Sequence, residues 1–235
     1  MNPNPRIRTA RAFAVLAVFL IALSAVFGWA EGRIETGGPF RAVLDFNGRL
    51  WHGLYSPNRL VSGRPIKPGR KPRPNGDIGL AKPVDLTQWH MQVGEGPRAF
   101  NVTMAELRAL PRTDSSAEFR CIEGWSEPIT YAGVKFTDFA AYFKLDLTQP
   151  YVGLRTPDGE YYVSIDMESM LHPQTLLAYE MNGAPLLPED GAPLRLIIPV
   201  KYGVKHLKRI GHLWLASTRP PDYWQEQGYD WFAGL

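Results

Sequence analysis

Apolar and polar positions divide this chain into one unbroken apolar block and a body of short alternating runs. From Ala12 to Ala30 (AFAVLAVFLIALSAVFGWA) nineteen residues pass without a charge. As a helix rising about 1.5 Å per residue, the block is about 28 Å long, close to the hydrocarbon thickness of a bilayer. It has no polar face at any helical phase, which argues against a buried globular helix. Arg6, Arg8 and Arg11 precede it and Glu31 follows. The positive-inside rule then puts the N-terminus in the cytoplasm and the rest of the chain outside it. An uncleaved single-pass anchor is the favoured reading. A cleaved secretory signal, with Gly28-Trp29-Ala30 as its small-x-small site, competes with it.

Beyond the block the pattern breaks up. Residues 31–56 read as a juxtamembrane stretch with scattered aromatics (Phe40, Phe46, Trp51, Tyr55). Residues 57–74 hold five prolines among six cations and no acid. Proline blocks both ladder and helix hydrogen bonding, so this is an extended arm that lies on anionic lipid, wraps the domain or is simply solvated. The globular body is expected over residues 75–235. Val84–Val93 reads as a strand. Thr103–Leu110 reads as a short helix, with Thr103 as its cap, Glu106 at the capping-box offset and Pro111 after it. Phe136–Phe143 is a second short helical pattern and Met167–Leu171 a helical turn. Tyr161–Ile165, Arg195–Val200 and His212–Ala216 read as strands. Strands and short helices alternate without a βαβ rhythm, so the class is α+β.

Composition narrows the chemistry. With 45% apolar residues, the chain can bury a proper core. A single cysteine excludes a disulfide framework, a four-cysteine iron–sulfur cluster and a cysteine-built zinc finger, and no CxxCH exists for covalent haem. The net charge of +3 is a sum of local parts: +3 before the apolar block, +6 in residues 57–74, and −6 elsewhere. The basic balance therefore gives no support for nucleic-acid binding. GxGxxG and Walker A motifs and internal repeats are missing, so a Rossmann or P-loop nucleotide site has no support.

Three constellations remain. The lone cysteine lies in Arg120-Cys121-Ile-Glu-Gly-Trp-Ser126. A lone cysteine is most often a small buried hydrophobe, but a neighbouring cation favours the thiolate that a soft metal or a nucleophilic mechanism needs. Pairing with His90, His172, His206 or His212 is open, although nothing nearby matches a cysteine protease motif. The second segment runs from Gly191 to Lys208 and gathers Arg195, Lys201, Lys205, His206 and Lys208 around a strand and a turn. Clustered cations and turn amides suit an anionic group such as a phosphate, and a solvated basic loop is the alternative. The third is the pair Asp166 and Glu168, which reads as two surface charges.

Arg-Cys-Ile-Glu-Gly-Trp-Ser (120–126), Leu-His-Pro-Gln-Thr-Leu-Leu (171–177), Gly-Ala-Pro-Leu-Arg-Leu-Ile-Ile-Pro (191–199), Lys-Tyr-Gly-Val-Lys (201–205) and Arg-Pro-Pro (219–221) occur in order. Together they resemble the molybdopterin-binding domain of the sulfite oxidase family. The likeness is greatest to the molybdenum subunit of bacterial periplasmic protein-methionine-sulfoxide reductases. It spans about residues 75–225.

The resemblance implies that fold, and a molybdenum ion held by one molybdopterin without a nucleotide. Cys121 would be the thiolate ligand of the metal, and Asn75, Thr156, Arg195, His206, Leu207 and Lys208 would contact the pterin or its phosphate. The implied reaction is two-electron oxo transfer on a small-molecule or protein-bound oxide. Reduction of an S- or N-oxide comes first, and sulfite oxidation or a non-catalytic membrane-tethered module are the alternatives. Electrons would pass through a partner such as a haem membrane subunit or a cytochrome. Two positions depart from the family pattern: Asp190 replaces an asparagine and Val200 a tryptophan. Family members are exported folded by a twin-arginine signal, whereas the arginines here are spaced Arg6-Ile-Arg8-Thr-Ala-Arg11.

Overall fold

Two five-stranded sheets carry the body of the protein. In the first, β1 (His90–Val93), β2 (Phe100–Thr103), β5 (Tyr151–Arg155), β6 (Tyr162–Asp166) and β10 (His212–Ala216) lie in the order β2-β1-β10-β5-β6. Only β1 and β10 run parallel. The second holds β3 (Arg112–Arg120), β4 (Ser126–Lys135), β7 (Leu176–Met181) and β8 (Ala184–Pro185) in that order, with β9 (Arg195–Ile197) on β7. Short helices α3 (Met104–Ala109), α4 (Phe136–Tyr142), α5 (Met167–Met170) and α6 (Tyr223–Glu226) punctuate the strands. The class is α+β, as the sequence indicates. The computed structural model describes residues 5–31, 39–56, 58–62 and 76–235.

Two compact units are distinguished, residues 1–47 and 48–235. In the first, α1 (Pro5–Glu31) carries the apolar block, and its Arg11–Trp29 portion has a mean hydropathy of 2.4. By length and composition it suffices to cross a membrane, as an anchor or as a signal. A second helix, α2 (Pro39–Leu54), occupies most of the stretch read as juxtamembrane with scattered aromatics. Its apolar residues recur at helical spacing, a period that the scattered-aromatic reading misses.

Local signals account for much of the body. At α3, Thr103 caps the helix and Glu106 returns the bond to the Thr103 backbone, the reciprocal pair that the sequence offers. The β10 strand falls on the expected residues. Val84–Val93 does not form one strand; only His90–Val93 pairs. Asp85 accepts from the Thr87 amide at 2.8 Å, and this side-chain turn takes the backbone out of extended geometry. Within the arm, residues 58–62 lie on the body: the Val61 amide donates to Gln174 Oε1, and Gln174 Nε2 donates to the Val61 carbonyl. The rest of the 57–74 arm lies outside the described residues.

Candidate active site

Cys121 sits at the tip of the β3–β4 hairpin. The two strands pair without slippage from Arg112 opposite Val134 to Arg120 opposite Ser126. A tight turn then closes the tip: the Cys121 amide donates to the Trp125 carbonyl at 2.9 Å and the Gly124 amide to the Cys121 carbonyl at 3.1 Å. The cysteine is buried beside Phe119, Ile129 and Ile197. Phe119 couples the hairpin to the rest of the site. Its ring meets His206 edge-on at 5.1 Å, and it lies so close to Gly203 that an added Cβ there would stand 2.3 Å from Phe119 Cζ. Glycine at 203 thus lets the hairpin tip dock on the 203–208 turn.

That docking forms a cleft of about 360 Å³, lined by Cys121, His206 and Lys208. Apolar and aromatic side chains complete it: Ile78, Ile122, Tyr161, Trp224 and Tyr229. The Tyr161 hydroxyl donates to the Val204 carbonyl, and burial holds its pKa well above the ordinary value. Trp224 and Tyr229 pack ring to ring at 5.1 Å. The sequence reading missed these aromatics. The density of rings after Asp222 was the available signal.

Buried cations stand beside the cleft. Arg195 is 2% exposed and lies over the Tyr131 ring at 5.3 Å. Its Nη1 donates to the Asp190 carbonyl, while Nε and Nη2 have no hydrogen-bond partner. Lys208 Nζ donates to the carbonyls of Gly76 and Glu189. Burial first, then Arg195, pulls its pKa down to about 8. Burial and Arg195 likewise push His206 down to about 3, so its ring is neutral at physiological pH. His206 Nε2 faces two carbonyls, of Ile198 at 2.9 Å and Lys201 at 3.2 Å, so we assign the proton to Nε2. Nδ1 then points a lone pair into a buried space without a partner. Gly191 makes this packing feasible: its φ is +99°, and an added Cβ would stand 2.7 Å from Lys208 Cβ and 2.9 Å from the Arg209 amide.

Cys121, His206 and Lys208 are therefore brought together on one cleft, with Arg195 just behind it. His206 is the one of the four candidate histidines that lines the cleft with Cys121. Leu207 lies in the hydrophobic core, and the amides of His206 and Leu207 are spent within the turn, on Gly203 and Lys205. Thr156 is buried below the lining, its hydroxyl donating to Asp158 and accepting from the Tyr161 amide. Asn75 lies outside the described residues.

Three expectations are corrected. Arg120 does not face the thiol: it pairs with Glu118 at 3.3 Å and lines a different hollow, because neighbouring strand residues alternate faces. Lys201 and Lys205 do not serve the cleft either. Lys201 is paired with Asp166 at 2.7 Å over the Phe232 ring, and Lys205 with Asp222, both in the interior. Asp166 is accordingly no surface charge. It is buried and also caps α5 through the Ser169 amide, while Glu168 is exposed and pairs with His52.

A family model described as the oxidoreductase molybdopterin binding domain matches residues 79–224. This chain belongs to that family. The "Putative protein-methionine-sulfoxide reductase subunit YedZ1" of Azospira oryzae is 35% identical over 231 residues, covering 95% of this chain and 87% of the relative. The protein-methionine-sulfoxide reductase catalytic subunit MsrP of Xanthomonas campestris pv. campestris is 30% identical over 174 residues. That match takes in 66% of this chain and 54% of the relative, so the chain spans about half the length of MsrP. Among solved structures, the sulfane dehydrogenase SoxCD of Paracoccus pantotrophus superposes with a TM-score of 0.54 at 20% identity. It covers 59% of this chain and 41% of that one, a likeness of fold.

The molybdopterin family membership makes this an oxidoreductase that carries molybdenum and molybdopterin. The donor set fits that group. An anionic phosphate needs buried, unspent cationic donors; Arg195 Nε and Nη2 are unspent and would meet that need. Among the described residues no cluster of three or more His, Cys, Asp or Glu side chains is placed to hold a metal. Cys121 is a soft sulfur donor on the cleft wall and would suit a molybdenum ion there.

Proposed function

We propose that this protein reduces an S-oxide, methionine sulfoxide in a peptide or free, as the molybdenum-bearing subunit of a membrane-tethered reductase. The observation that carries this reading is the pairing of Cys121 with an apolar and aromatic wall (Ile78, Ile122, Trp224, Tyr229) on one cleft. A sulfoxide has a short polar S=O and an apolar remainder, and this wall would take the remainder. The relatives named as methionine-sulfoxide reductase subunits support the same substrate class.

When bound, the cofactor supplies two-electron oxo transfer: sulfoxide, two electrons and two protons give thioether and water. The protein's part is binding and orientation. Cys121 would hold the metal as a thiolate. Arg195 and Lys208 would hold the anionic end of the pterin. Neutral His206 would offer Nδ1 as an acceptor to a pterin N–H. The aromatic wall would turn the sulfoxide oxygen toward the metal and exclude water from the sulfur. Electrons would come from a haem-bearing membrane partner or a cytochrome. In this reading α1 is an inner-membrane anchor that keeps the body on the periplasmic side, near that partner.

The test is metal and pterin analysis of the purified full-length chain, followed by oxidation of a reduced viologen dye with methionine sulfoxide. Near-stoichiometric molybdenum, lost in Cys121→Ala while the far-ultraviolet circular dichroism is unchanged, is expected. A folded, metal-free protein would sink the enzyme reading. Turnover with sulfite and an electron acceptor, but none with sulfoxides, would reverse the direction.

A further inference from the structure

Helix α2 is packed inside out. Val43, Phe46, Leu50 and Leu54 fall at three- and four-residue intervals and so share one face. All four are exposed, by 49% to 62%, and Trp51 beside them by 53%, with Leu54 and Trp51 also edging a hollow that Val200 and Phe232 line. The opposite side carries Gly48 and His52, and that side meets the body. Gly48 lies against Phe232 and Asp230, with room for a Cβ at 3.4 and 3.5 Å. The His52 ring stands edge-on to Phe232 at 5.6 Å, and its Nε2 is 3.1 Å from Glu168. The burial of an apolar stripe that ordinarily fixes a surface helix is forfeited here. Something else must cover that stripe.

Charge and reach point to lipid. Arg49 flanks the stripe, and Asp45 is the single acid on the helix. The sequence then continues into residues 57–74, with six cations and no acid. An apolar stripe with a cation on one rim and a tryptophan on the other, followed by a polybasic run, matches a bilayer surface carrying anionic headgroups. From Val43 to Leu54 the stripe runs about 17 Å, too short to cross a bilayer and suited to lie in its plane. Pro39 follows Trp29 by ten positions, so even fully extended chain spans only about 36 Å between them. An inserted α1 thus keeps α2 within that reach of the membrane.

We propose that α2 is an interfacial helix, its Val43–Leu54 stripe sunk into the headgroup region of an anionic phospholipid bilayer and its Gly48–His52 side holding the body. This rests on the reading of α1 as an anchor.

The experiment uses the full-length chain reconstituted in phosphatidylcholine vesicles containing phosphatidylglycerol. An environment-sensitive fluorescent amino acid replaces Leu50 or, about 100° round the helix and outside the apolar stripe, Arg49. Quenching by doxyl-labelled lipid is compared with quenching by aqueous iodide. We expect lipid quenching to be several-fold stronger at position 50 than at 49, iodide quenching to be reversed, and the lipid signal to weaken when phosphatidylglycerol is omitted. Equal iodide access at both positions, in protein that resists alkaline carbonate extraction, would overturn the interfacial helix and leave the anchor standing. Protein released by carbonate, with both probes in water, would remove the anchor as well. Shielding from iodide without lipid quenching would show that a protein covers the stripe, and would also overturn the proposal. A lipid signal indifferent to phosphatidylglycerol would overturn its anionic part.

Discussion

His206 shows how far a single buried side chain can set solution behaviour. Its pKa falls from 6.5 to about 3 because burial, and then Arg195, disfavour the imidazolium. The folded state therefore binds this proton more weakly than the unfolded chain does. The associated stability is fully present above pH 6.5 and drains away as pH falls toward 3. In His206→Gln the side-chain amide can still donate to the Ile198 carbonyl, but it does not titrate. Chemical denaturation of the two proteins between pH 7 and 4 should give a flatter stability profile for the variant. Parallel profiles would show that other groups control the acid limb. At this scale the sequence was a partial guide. Cys121, Arg195, His206 and Lys208 were legible because their residue types announce their chemistry. The identity of Lys201 and Lys205 as interior ion-pair partners was not, since Asp166 and Asp222 lie 35 and 17 positions away and burial leaves no local mark.

Among the elements, turns and caps carry the site more than the strands do. Gly191→Ala would force a left-handed backbone on a residue with a Cβ and drive that carbon into Lys208 and Arg209. We expect a loss of about 2–3 kcal/mol, measured by urea unfolding, together with weaker pterin retention, because the same turn places the Asp190 carbonyl under Arg195. Thr103→Ala, by contrast, removes a capping box far from the cleft. It should cost about 1 kcal/mol and leave molybdenum content unchanged. The contrast between the two variants separates loss of site from loss of stability. The capping box and β10 were readable because short-range chemistry decides them. Helix α2 was missed although its apolar residues keep helical spacing, because Gly48 and Gly53 weaken its helical propensity.

At the scale of the body, the last seven residues act as a clasp. The Tyr202 amide donates to the Ala233 carbonyl and the Leu235 amide to Val200, Phe232 covers Lys201 at 3.1 Å, and Tyr229 completes the cleft. Removing residues 229–235 should lower stability by on the order of 5 kcal/mol, from lost ring burial and backbone bonds, and open the cleft to water. Denaturation midpoints together with molybdenum content would measure both effects.

The cleft walls come from residues near 78, 121, 161, 206, 224 and 229. Walls drawn from positions spread along the whole body come together only when the body has folded, so a nascent chain offers the cofactor no cleft to enter. Cofactor loading is thus a property of the folded body and not of any one segment.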